Sequence, residues 1–406
     1  MQTRNTVGYF RLLRQNPSFR NLWYGQVVSE LGDWLNSIAI YALILKLSDS
    51  GMAMAGAMMA KLLPIVLVSP IAGVVVDRVS RKTVMIVSDL LRCVVVLAFL
   101  LVEDRDTLWL VYALVIVEIS LSGFFEPARS AIIPSLVPKE DLVTANALSG
   151  STWSVMLAFG AALGGVIVYL FGIKAAFILD AGTFILSAWF LSKIPSPKKS
   201  TKKDSSKQSG YQELLEAMRF LRAEPMVLVL SLLKAGLAVA GGIMTLIPLM
   251  ASQMLSVSLS LGIGILYSAR GLGAALGPIL VKRIFGETAS VLQWAIAGAF
   301  FLKAFSYIFI AYSHNIWTLS LGVAFATLFG SIIWVFSSAL IHLSAPDHYL
   351  GRVFSFELAL LTLVMGCSNW GVGYAVDGWD MNINQIALWM AGGVAIPGIL
   401  WSGFLI

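Results

Sequence analysis

Twelve stretches of this sequence are each apolar for about as long as a helix needs to cross a bilayer. Such a helix takes ~20 mostly apolar residues. The stretches run Asn21–Leu45, Met52–Val76, Thr83–Val102, Thr107–Phe125, Leu142–Phe171, Ala175–Leu191, Met226–Met254, Leu259–Val281, Ala289–Ala311, Trp317–His342, Val353–Val376 and Asn384–Gly403. Twelve spans consume on the order of 240–300 residues, which fits a 406-residue chain with short loops. The composition agrees. The chain is 58% hydrophobic and 12% charged, with a mean hydropathy of +0.84. Soluble domains carry about twice that charged fraction, so one water-surrounded core is excluded. A membrane β-barrel is excluded too, because it shows alternating ~10-residue segments instead of long apolar runs. Pro248 and Pro278 are expected to break the seventh and eighth spans, which neighbouring helices accommodate in a membrane.

Lysine and arginine set the orientation. With the N-terminus inside, the inner segments hold Arg4, Arg11, Arg14, Arg20, Arg78, Arg81, Lys82, Arg129, Lys139, Lys282, Arg283, Arg352 and a basic central stretch. The outer loops keep Lys46, Arg105 and Lys174. The expectation is a multi-pass protein of a bacterial inner membrane with both termini in the cytoplasm. Residues 1–21 are polar and basic without an apolar core, so no cleavable signal peptide is expected. The net charge of +6 comes from these inner loops and does not signal nucleic acid. Cys93 and Cys367 lie inside apolar runs and form neither a disulfide framework nor a metal motif.

Between spans six and seven lies PSPKKSTKKDSSKQSG, residues 195–210, with the composition of a solvated linker. In the stretch after it, Leu214, Leu215, Met218 and Leu221 recur at helical spacing, opposite Glu213, Glu216, Arg219 and Arg222. That predicts an amphipathic helix over 211–224 on the cytoplasmic surface. The expected organisation is therefore a six-helix bundle over 1–194, a linker over 195–224 and a second six-helix bundle over 225–406. Paired features suggest related halves. Pro138 before span five matches Pro346 before span eleven, and Gly73–Arg78 ending span two matches Gly277–Arg283 ending span eight. The second copy lacks the aspartate.

The loop after span two reads Gly73-Val-Val-Val-Asp77-Arg78-Val-Ser80-Arg81-Lys82. It resembles the signature loop of the major facilitator superfamily, with Ser80 in place of a second glycine. After span four come Phe125-Glu126-Pro127-Ala128-Arg129, Leu136-Val-Pro138 and Ala145-Asn146-Ala147. These are similar to the subgroup of macrolide-efflux and enterobactin-export proteins. The resemblance implies an all-α membrane fold of twelve helices in two bundles, with spans one, four, seven and ten around a central cavity. It also implies a cytoplasmic gate of Gly73, Asp77, Arg78, Arg81, Glu126 and Arg129. In that gate Gly73 lets helices approach closely and Glu126 pairs with Arg78 or Arg81. Span five carries Gly160-Ala-Ala-Leu-Gly164-Gly165, which resembles the glycine-proline motif of antiporters with Ala161 for the proline. Small residues there predict close helix packing.

Ionisable residues inside spans cost roughly 2.5–3.5 kcal/mol each at a helix centre, so they are rarely idle. Here they are Glu30, Asp33, Lys61, Asp89, Arg92, Glu118, Asp180, Lys234, Arg270, Lys303 and Glu357. Asp89 and Arg92, three apart, are read as a local ion pair. Lys61 and Lys303 are read as snorkelling outward, and Asp180 as a packing residue. Glu30 and Asp33, three apart on one face of span one, are the first candidates for proton coupling, with Glu118 and Glu357 beside them. Like charges and low dielectric both oppose full ionisation of such a pair. A static Glu118–Lys234 ion pair is the alternative. Trp34, Lys234, Arg270 and Trp334 are candidates for contact with substrate in the cavity.

His314, His342 and His348 form no ligand spacing with the cysteines, and no nucleophile–base pattern or phosphate loop appears. An enzyme is not expected, nor a cofactor or metal. The reading is a monomeric secondary transporter. Its partners are a small-molecule substrate, protons as coupling ion and the lipid bilayer, and it exports a drug-like or siderophore-like compound by alternating access. The alternatives are a lysophospholipid flippase of the same fold, a non-transporting receptor and a membrane-embedded enzyme.

Overall fold

The computed structural model describes residues 8–195, 219–254, 256–286 and 288–406. Twelve helices among these residues are long and apolar enough to cross a membrane, and no strand is present among them. We number them α1 (Pro17–Leu47), α2 (Gly51–Arg78), α3 (Arg81–Ala98), α4 (Leu108–Leu136), α5 (Leu142–Phe171), α6 (Ile173–Ser192), α7 (Pro225–Ala238 and Ile243–Ser252), α8 (Leu259–Phe285), α9 (Ala289–Ala311), α10 (Ile316–Ser344), α11 (Asp347–Asp377) and α12 (Ile383–Leu405). A short helix, Tyr9–Gln15, precedes α1. The all-α expectation and the twelve spans hold.

Local chemistry explains where the helices begin. The Asn16 side chain accepts from the Phe19 amide with Pro17 in the first helical turn. Asn315 caps α10 by accepting from Trp317 and Thr318, and Asn382 with Gln385 forms a capping box on α12. Gly172, at φ +84°, makes the turn from α5 to α6 in a backbone region that side chains disfavour.

The chain packs as two compact units. The first comprises Met1–Asp49, Ala60–Ser200 and Leu255–Ser268, and the second Ser50–Met59, Thr201–Met254 and Ala269–Ile406. In the first unit, Leu12, Phe19, Leu22, Met85, Phe125 and Ile132 join one buried apolar cluster. Helix association in lipid relies on close packing, which small residues allow. A Cβ at Gly160 would lie 3.0 Å from Trp34 Cβ, and one at Gly164 would lie 3.1 Å from Ile38. One at Gly165 would lie 2.7 Å from the Ser260 carbonyl at the start of α8. Ser268 Oγ donates to the Ala158 carbonyl at 2.7 Å along the same seam. The predicted packing role of span five therefore holds, and its partners are α1 and the first turns of α8. Gly73 behaves otherwise. Nothing lies within 4 Å of where its Cβ would be, so the predicted close approach there is absent in this conformation.

In the second unit the break in α7 is not at Pro248, which sits inside the helix Ile243–Ser252. Helix α8 likewise continues through Pro278. The interruption spans Val239–Gly242, where Gly241 and Gly242 press against Met365 and Ser368 of α11. Side chains satisfy the freed backbone, as a membrane interior demands. Ser368 Oγ donates to the Val239 carbonyl at 2.6 Å and accepts from the Gly242 amide at 2.9 Å. Tyr307 donates to the Ala240 carbonyl at 3.2 Å. Asn369 Oδ1 accepts from Thr245 Oγ1 at 2.8 Å.

The predicted linker and amphipathic helix fall largely outside the described residues. Residues 219–223 are helical, Leu221 is buried, and the Phe220 ring stacks on Tyr349 with centroids 4.1 Å apart.

Candidate functional site

Helix α1 carries Gln26, Ser29, Glu30, Asp33, Asn36 and Ser37, recurring three and four residues apart and so sharing one side of a helix. Gln26, Glu30, Asp33, Asn36 and Ser37 all have partners within the first unit. Asp33 is ion-paired with the buried guanidinium of Arg92 on α3. Arg92 also stands over the Phe184 ring, 4.2 Å from its centroid, and 3.9 Å from Asp89 Oδ1. Asp89 Oδ2 accepts from Ser187 Oγ of α6 at 2.6 Å. The expected local Asp89–Arg92 pair is therefore secondary, because Asp33 reaches across from another helix and Arg92 turns toward it.

Glu118 of α4 is buried and accepts from Asn36 Nδ2 at 2.8 Å. Asp180 of α6 is fully buried, with Thr183 Oγ1 3.2 Å from its Oδ1 and no partner for its Oδ2 among the described residues. Lys61 of α2 does not snorkel outward. Its ammonium donates to Ser37 Oγ at 2.7 Å and to the Tyr41 hydroxyl at 3.2 Å. Arg92 and Lys61 thus share their surroundings with the carboxyls of Asp33, Asp89, Glu118 and Asp180. Acid outnumbers base in this interior, and charge in low dielectric is expensive unless paired.

Glu30 and Asp33 bond to different partners. Glu30 Oε1 accepts from Gln26 Nε2 at 2.8 Å, and Gln26 Oε1 in turn accepts from Arg129 at 3.1 Å. Arg129 holds Glu126 at 2.6 Å on its own helix. The expected pairing of Glu126 with Arg78 or Arg81 is absent here, since Arg129 is one turn away and already aligned. Arg81 instead donates to the Ala131 carbonyl at 2.7 Å. Asp77 and Arg78 are exposed at the end of α2. Trp34 packs on the Tyr267 ring, centroids 5.7 Å apart.

The second unit has its own polar centre. Lys234 of α7 is ion-paired with Glu357 of α11 at 2.7 Å and donates to Ser338 of α10 at 2.7 Å. Its ammonium lies 4.7 Å from the Trp334 ring centroid, within cation–π range. Glu118 and Lys234 are each partnered within their own unit, Glu118 by Asn36 and Lys234 by Glu357. Arg270 is half-buried on α8. Lys303 is buried on α9 and donates inward to the Ala326 carbonyl at 2.8 Å, not outward to an interface. No group of three or more metal-ligating side chains occurs among the described residues.

The sequence reading missed Asn36, Gln26, Ser187 and Ser338 as partners of these charges. Their spacing on α1 offered a signal for the first two, because they extend the Glu30–Asp33 side by one turn each way. Ser187 and Ser338 offered none, since serines are unremarkable in membrane helices.

The model of the Major Facilitator Superfamily matches residues 22–366. The chain belongs to the major facilitator superfamily. Among its relatives, the uncharacterized MFS-type transporter YfiS of Bacillus subtilis is 28% identical over 393 residues, covering 88% of both chains. The enterobactin exporter EntS of Salmonella choleraesuis is 26% identical, over 84% of this chain and 81% of its own. Macrolide efflux protein A of Streptococcus pyogenes is 26% identical, over 50% of this chain and 51% of its own. The inward-facing bacterial homolog of the human lysosomal transporter Spinster superposes with a TM-score of 0.70 at 15% identity, over 95% of this chain and 96% of that one. This major facilitator protein is therefore a multi-pass membrane protein of a bacterial transporter family with efflux-type relatives. Those relatives do not favour the lysophospholipid-flippase alternative.

Proposed function

We propose that the protein is a proton-coupled exporter of a drug-like or siderophore-like small molecule, working by alternating access and without enzymatic activity. In this reading bundles 1–194 and 225–406 are the rocking halves, 195–224 joins them in the cytoplasm, both termini face the cytoplasm of a bacterial inner membrane, and the unit is a monomer. The observation that carries it is the Asp33–Arg92 ion pair, which ties α1 to α3 among further carboxyls. A proton arriving at Asp33 neutralises the carboxylate and releases Arg92 toward Asp89. Its departure restores the pair, so proton occupancy and the ion-paired link between α1 and α3 are coupled. Glu118 and Glu30 are further sites for the transported proton, and Glu357 is the one in the second unit. Gly73, Asp77, Arg78, Arg81, Glu126 and Arg129 form the cytoplasmic gate when the inner rim closes.

The efflux-type names of the relatives support an outward direction. The test is a sensitivity panel in cells lacking and overproducing the protein, spanning macrolides, short-peptide antibiotics and catechol siderophores. Overproduction should raise resistance to, or release of, at least one class, and a protonophore should abolish the effect. No change for any class would refute export of this kind.

A further inference from the structure

The Lys234–Glu357 centre has a charge balance that restricts what it can accept. Both side chains are almost wholly buried. With Glu357 ionised they are together neutral, and Lys234 is engaged by Glu357 Oε2, Ser338 Oγ and the Trp334 face. Glu357 Oε1, in contrast, is buried with no hydrogen-bond partner among the described residues. Two aromatic rings flank the centre, Trp334, which is 42% exposed, and Phe354, 5.7 Å from the ammonium.

An anion placed here would leave a net negative charge in low dielectric, and a cation a net positive one. Either carries the large cost of an uncompensated buried ion. A zwitterion avoids it. Its carboxylate replaces Glu357 on Lys234, its ammonium meets the released Glu357, whose Oε1 was unused, and one ion pair becomes two with no change in net charge. The remaining body lies against Trp334, where an apolar or aromatic group stacks favourably.

We propose that Lys234 and Glu357 receive a zwitterionic substrate bearing an amine and a carboxylate, of amino-acid or short-peptide size. This rests on the export reading and specifies its substrate class. Ser338 positions the lysine, and Trp334 and Phe354 contact the substrate's apolar part.

The experiment uses the full-length protein in lipid nanodiscs and three calorimetric titrations. The probes are alanyl-phenylalanine, its N-acetyl derivative, which is only anionic, and its C-terminal amide, which is only cationic. The free dipeptide should bind, and each singly charged analogue should bind at least about tenfold more weakly. Equal binding of all three, or binding of none, overturns the proposal. Because Glu357→Gln or Lys234→Gln could unfold the unit, this ligand series on the unaltered protein carries the test. The swapped pair Lys234→Glu with Glu357→Lys keeps an internal ion pair as a folding control. In that variant the dipeptide should lose affinity, since Ser338 and Trp334 then surround the wrong charge. Retained affinity in the folded swap also overturns it. The two readings fail separately. Dipeptide binding without proton-coupled transport sinks the export mechanism and leaves this receptor standing. Proton-coupled efflux of another class without dipeptide binding does the reverse.

Discussion

Arg92 turns its guanidinium to Asp33 on another helix, although Asp89 stands one turn away on its own. The pair makes the link between α1 and α3 depend on charge, which is the basis proposed above for coupling transport to protons. The individual bonds lead to distinct expectations.

Arg92→Ala leaves Asp89 buried and Asp33 without its cation. Breaking a buried pair by removing one partner costs about 3–5 kcal/mol, so this variant should unfold at markedly lower temperature in detergent. Asp89→Asn keeps an oxygen that accepts from Ser187 and should cost about 1 kcal/mol or less. Thermal melts of both variants check this. Equal losses would mean that Asp89 is the main partner of Arg92.

Gly165 has no room for a side chain against the Ser260 backbone. Gly165→Leu should cost about 1–3 kcal/mol or detach the start of α8 from α5. Gly73→Ala meets open space and should leave stability unchanged or raise it by about 0.5–1 kcal/mol, as alanine does in a helix. Melting temperatures of the pair decide. A destabilised Gly73→Ala would show that its face is packed in the resting state.

Asp77 is exposed, so Asp77→Asn should fold normally. In the proposed gate role it acts on closure of the inner rim and not on substrate. Turnover should fall by about tenfold while apparent affinity stays within about twofold. Steady-state efflux from vesicles measures both. A large loss of affinity at normal turnover would place Asp77 in the binding site.

The positive-inside bias is tested by single-cysteine labelling. Ser205→Cys should resist a membrane-impermeant maleimide applied to intact cells, and Asp106→Cys, in the loop between α3 and α4, should react. The opposite pattern would invert the topology.

Sequence reading located the twelve helices because long apolar runs bounded by polar residues leave a bilayer-spanning chain no other regular structure. It located the buried charges for a related reason, since they stand alone in apolar surroundings. Their partners were not legible. Arg92 lies three residues from Asp89, and only the packing of α1 and α3 against α6 brings Asp33 closer. Glu126 lies near Arg78 and Arg81 in the family's loop, yet Arg129 was in reach on the same helix. Lys61 and Lys303 were read as snorkelling from length alone, whereas the Ser37 hydroxyl and the Ala326 carbonyl face them from neighbouring helices. The α7 break was assigned to Pro248 because proline lacks a donor. The backbone opens instead at Gly241 and Gly242, where Ser368 and Tyr307 supply substitutes from α11 and α9, a condition set by tertiary structure.

The most direct test is active efflux in proteoliposomes with an imposed pH gradient, comparing the unaltered protein with Asp33→Asn for the substrate identified by the sensitivity panel. The account predicts uphill accumulation by the unaltered protein, and in Asp33→Asn only downhill exchange with substrate binding intact. Uphill transport by Asp33→Asn at the unaltered rate would contradict it.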